Sequence, residues 1–178
     1  MPTDMLDFEG QDLYFDEPLQ KETQRCIDGA AEAYGKESSR NLLYRAYFLE
    51  PEHPTVLVAL YRYFYYQHLY ADALIIAERV LKLFSMRLGW PANWQELTSQ
   101  HVDKSSENSM TDVRFYLLAL KGSGYLELRL ERIQSAIERL SKVVEVDNKD
   151  RLGAASLLEI AEEEVERQSG IYRLKFNQ

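Results

Sequence analysis

Ala46, Val80 and Val143 stand at equivalent places in three segments of similar pattern. The first two are 34 residues apart; the second two are 63 apart, one period of 34 plus an insert of 29. A period of this length, with small residues at fixed offsets, is restrictive. Each unit is a helical hairpin too small to bury its own apolar face, so neighbours must stack to share a core.

The composition agrees with a helical reading. Hydrophobic residues make up 46% of 178, with 5 Pro and 8 Gly. β-branched runs are few, while Leu, Ala, Glu and Arg are plentiful. A lone cysteine, Cys26, allows no disulfide framework. No basic-then-apolar leader stands at the start, and no apolar stretch is long enough to span a bilayer, so no membrane insertion and a cytoplasmic location are expected.

Charge is unevenly placed. Residues 1–19 carry Asp4, Asp7, Glu9, Asp12, Asp16 and Glu17 with no Lys or Arg, and most of the net charge of −8 lies there. Such a balance disfavours nucleic acid, whose affinity comes largely from phosphate neutralisation. We expect residues 1–19 to form a mobile acidic terminus. Residues 20–178 are expected as a single helical domain with an insert at 88–116.

Apolar spacing predicts helices over Thr23–Tyr34, from Ser38 or Ser39 to Pro51, from Pro54 towards Gln67, and from Ala71 to Gly89. Trp90, Pro91 and Trp94 suggest a packed corner, with one short helix over Trp94–Gln100. Thr111 or Asp112 is the expected cap of the next helix. That helix contains Gly122 and Gly124, which points to close approach by a neighbour. Ile133–Val146 and Arg151–Gln168 follow, with Gly170 as the expected stop.

With these registers the chain resembles the tetratricopeptide repeat family over 20–53, 54–87 and 117–150, or 102 of its 178 residues. The early small position of each second helix falls on Ser39, Ala73 and Ala136, and the later one on Ala46, Val80 and Val143. The small position of the first helix falls on Ile27, Tyr61 and Gly124, so only the third unit keeps it. The turn aromatic is present only as Tyr70. The resemblance implies an all-α, right-handed stack of antiparallel helix pairs, with the helix over 151–168 as its C-terminal cap.

It also implies a working surface, the face made by the first helix of each unit. Carried over, that face presents Arg25, Arg62, Tyr65, Tyr66, Lys121, Tyr125 and Arg129. Arg and Lys can hold a carboxylate, and Tyr supplies rigid contact area. The implied partner is another protein or peptide of acidic and apolar character, and the implied role is an adaptor or chaperone. The acidic residues 1–19 are a candidate to occupy this face in cis. The Lys/Asn clamp for a C-terminal carboxylate is absent.

No catalytic constellation appears, so an enzyme is not expected. His53 and His68 fall at opposite ends of one helix, roughly 22 Å apart at 1.5 Å per residue, and no Cys/His ligand spacing occurs. No metal or cofactor is therefore expected. Cys26 lies on an apolar stripe. Three alternatives stand beside the adaptor reading. One is a secretion-type chaperone holding a client segment. Another is a small-ligand or enzymatic bundle with a pocket near Trp90, Trp94 and His101. The third is a self-associating structural module, a homo-oligomer.

Overall fold

The structure, a computed structural model, describes residues 15, 17–105 and 109–176. Among them there is helix and no strand: α1 Lys21–Glu32, α2 Glu37–Leu49, α3 Pro54–Tyr66, α4 Tyr70–Leu88, α5 Ser99–Asp103, α6 Met110–Arg129, α7 Ile133–Val146 and α8 Ala155–Phe176. The long helices pack on their chain neighbours as antiparallel pairs, α4 passing directly to α6 across the insert.

Small residues mark several of the helix contacts. Ser39, Ala46, Ala73, Val80, Ala136 and Val143 are all buried. Small side chains at those places bring helix axes together, and the Ser39 hydroxyl donates to the Ala30 carbonyl at 2.8 Å, joining α2 to α1. Tyr61 is large for its register yet fully buried. Gly122 makes the room: a Cβ there would lie 3.0 Å from the Tyr61 hydroxyl. A Cβ on Gly124 would lie 2.8 Å from Leu140 Cγ. Both glycines are thus contact points between helices.

Several helix ends differ from expectation. Pro54 does open α3, with His53 as the cap: its Nδ1 accepts from the Thr55 N–H at 3.2 Å. α2 begins before Ser38, at Glu37, with Lys36 at the cap position, and the Ser39 hydroxyl is bonded to α1 instead. α6 is entered through Ser109, so Thr111 and Asp112 lie inside it. Trp94–Gln100 is not one helix; Trp94–Glu96 is a 3₁₀ turn and Ser99 starts α5. α8 passes through Gly170 to Phe176, since no left-handed turn is required there.

The insert is a packed corner. Trp90 meets Tyr116 edge-on at 5.0 Å, Leu97 is buried, and Lys142 donates to the Leu97 carbonyl at 3.0 Å. Beneath it runs a polar network invisible in the sequence pattern. Arg139 pairs with Glu78 at 2.5 Å and with buried Glu127 at 3.7 Å, donates to the Ser123 hydroxyl at 3.0 Å, and carries the Trp94 ring 5.2 Å from its guanidinium. Burial, with Glu78 nearby, pushes the Tyr116 phenol up to about 12.

The end of the acidic segment is docked. Phe15 enters between Phe84 and Phe115, with ring centres 5.8 and 5.0 Å away. The Glu17 carboxylate pairs with Arg87 at 2.7 Å, and its carbonyl accepts from His53 Nε2 at 3.0 Å. The Gln20 N–H donates to Glu50 at 3.0 Å. These contacts seat Phe15 and residues 17–20 where α3 begins, α4 ends and α6 begins. Asp4, Asp7, Glu9, Asp12 and Asp16, the other acidic residues of the segment named as a candidate to occupy the face in cis, lie outside the described residues.

Candidate functional site

The residues expected on the binding face divide into three groups. Tyr65, Tyr125 and Arg129 come together, joined by Tyr70. Tyr65 is 5.9 Å from Tyr125 and 6.2 Å from Tyr70, ring centre to ring centre. The Arg129 guanidinium stands 4.5 Å from the Tyr70 ring and 5.9 Å from the Tyr125 ring, and donates to the Tyr125 hydroxyl at 2.9 Å. Donating to the Tyr125 hydroxyl raises the Arg129 pKa further, so its charge is fixed. Arg129 is exposed. Among the described residues no carboxylate lies within ion-pair distance of it. The nearby turn is held by His68 in a left-handed conformation (φ 58°), its Nδ1 2.7 Å from the Tyr70 hydroxyl.

Arg62 and Tyr66 belong to a second feature. With Tyr34 and Tyr63 they wall a pocket of about 490 Å³ between α1, α2 and α3, whose floor is Ile27, Ala30, Ala31, Leu43 and Ala59. Among the described residues no acidic side chain lines it. Its rim is aromatic and accessible: Tyr34 is 54% exposed and Tyr66 42%. The Tyr66 ring meets Tyr65 edge-on at 5.4 Å, so the pocket and the Arg129 cluster adjoin.

The third group stands apart. Arg25 is exposed on α1 and is not among the described residues that line the pocket. Lys121 turns towards the α7–α8 connection and donates to the Leu152 carbonyl; burial lowers its pKa, with Asp150 and Asp147 opposing. Lys121 is therefore a bracing residue in this structure and does not join the tyrosine cluster. Sequence reasoning missed Tyr70 and Tyr34 as members of the face. The turn aromatic at Tyr70 was the available signal, because that place closes one helix pair beside the first helix of the next.

Near the insert a pocket of about 500 Å³ is lined by Arg87, Trp90, His101, Lys104, Ser105 and Ser109. Trp94 is not part of it, being under Arg139. His101 Nδ1 already accepts from the Thr98 N–H at 3.1 Å. Among the described residues no three His, Cys, Asp or Glu side chains converge as metal ligands. Among them, too, no helix is long and apolar enough to cross a membrane.

An uncharacterized 19.8 kDa protein in the nifW 5' region of Azotobacter chroococcum mcd 1 is 47% identical to this chain over 160 residues, 90% of this chain and 89% of that protein. The two belong to one family. A contiguous span of that length in a chain of 178 always contains residues 19–160. The likeness therefore includes α1 to α7, the insert, and both parts of the candidate face. No protein-family profile matches the chain, and no solved structure matches it.

Proposed function

We propose that this chain is a peptide-binding adaptor or chaperone, built as three tetratricopeptide-like hairpins with α8 as the closing helix. The buried small residues at the 34-residue offsets support the scaffold. The carrying observation for function is Arg129, a guanidinium oriented by two tyrosine rings and one hydroxyl, exposed, and with no carboxylate partner among the described residues. An arginine ordered in advance gives up less side-chain freedom when it meets an anion. Flat tyrosine faces around it supply contact area at small entropic cost.

Selection from a random displayed peptide library by the intact chain tests this reading. Convergent peptides bearing Asp or Glu are expected, with affinity falling at least about tenfold, or 1.4 kcal/mol, for Arg129→Glu. An unconverged selection, or indifference to that substitution, overturns it. The relative's place in the nifW 5' region makes the nifW product the first whole protein to test for association.

A further inference from the structure

Resting on that reading, we infer that the pocket between α1 and α3 takes a single aromatic side chain of the partner peptide, within about five residues of the carboxylate that Arg129 holds. The pocket's form argues for an aromatic guest. Its floor is hollow because Ala30, Ala31 and Ala59 stand where larger residues would fill it. Tyr34, Tyr63 and Tyr66 line it, and aromatic rings meet one another in edge-to-face or offset contact. The Ser39 hydroxyl beneath is already spent on the Ala30 carbonyl. The floor thus offers apolar contact and no free donor. Arg62 is the charged residue among the described lining; the acidic preference of the partner comes from Arg129.

The spacing follows from the rings. From Tyr66 to Tyr65 is 5.4 Å, from Tyr65 to Tyr125 5.9 Å, and from Tyr125 to the Arg129 guanidinium 5.9 Å. An extended peptide advances roughly 3.3 Å per residue. The Tyr66 wall of the pocket and the Arg129 guanidinium are therefore at most about five extended residues apart. The partner's signature is a short acidic segment carrying one Phe, Tyr or Trp.

The test uses the peptides selected by the intact chain, labelled and titrated by fluorescence anisotropy. Changing the peptide's aromatic residue to Ala should weaken binding at least tenfold. Filling the pocket with Ala31→Trp, at an exposed position on α1, should weaken the aromatic peptide by a similar factor and leave the Ala-substituted peptide's residual binding unchanged. Ala59→Phe fills the same space from α3 and should act alike, with helical circular dichroism retained. Selected peptides lacking an aromatic, or full affinity in both filled variants, overturn the pocket assignment. If binding still depends on Arg129 in that case, the peptide-binding reading stands without it. If nothing converges in the selection, both fall together.

Discussion

Three helical glycines form a graded series at the scale of single residues. Gly→Ala inside a helix ordinarily stabilises by up to about 1 kcal/mol. A Cβ on Gly170 meets nothing within 4 Å, so Gly170→Ala should show that gain. On Gly122 the Cβ meets the Tyr61 hydroxyl at 3.0 Å, and gain and crowding nearly cancel. On Gly124 it meets Leu140 Cγ at 2.8 Å, a branch point that cannot swing aside. Gly124→Ala should destabilise by about 1–2 kcal/mol. Urea midpoints falling in a different order would refute the contact assignment. Arg139→Ala should cost about 3 kcal/mol in the same assay, because it leaves buried Glu127 with Arg132, 3.5 Å away, as its one ion-pair partner among the described residues. A loss below 1 kcal/mol would mean the network is solvated.

Element by element, the helices were legible because the stripe of apolar residues and the small-residue offsets are both local in sequence. The ends were less legible wherever a long-range partner decides. Ser39 reads as a cap until Ala30 is seen to claim its hydroxyl, and Gly170 reads as a stop although nothing there needs a left-handed residue. The candidate face was legible for Tyr65, Tyr125 and Arg129, which keep the register of the first helices. Lys121 keeps the same register but meets the Leu152 carbonyl, brought close by a turn that no period predicts. The docked segment before α1 belongs at this scale too. Phe15→Ala should cost about 2 kcal/mol through lost contact with Phe84 and Phe115. Glu17→Ala should cost under 1 kcal/mol, because its pair with Arg87 is half exposed. Equal losses in urea unfolding would show that charge, not ring packing, holds the segment.

For the whole molecule, the raised Tyr116 phenol sets an alkaline limit. Its proton is held more tightly in the folded chain than in the unfolded one. The stability it contributes is therefore complete below pH 10 and is lost as pH rises from 10 through about 12. Tyr116→Phe keeps the ring against Trp90 and removes the ionisation, so its alkaline unfolding midpoint should move upward. An unchanged midpoint would assign the limit to other groups. The seat of Phe15 carries a consequence for synthesis. Its two partners lie in α4 and α6, and Phe115 follows it by a hundred residues. At roughly 5–20 residues per second, translation delivers that partner about 5–20 s after Phe15 has left the ribosome. During that interval an unsatisfied aromatic ring travels among the acidic residues Asp12, Asp16 and Glu17. Charges flanking an exposed ring favour its solvation until its partners arrive.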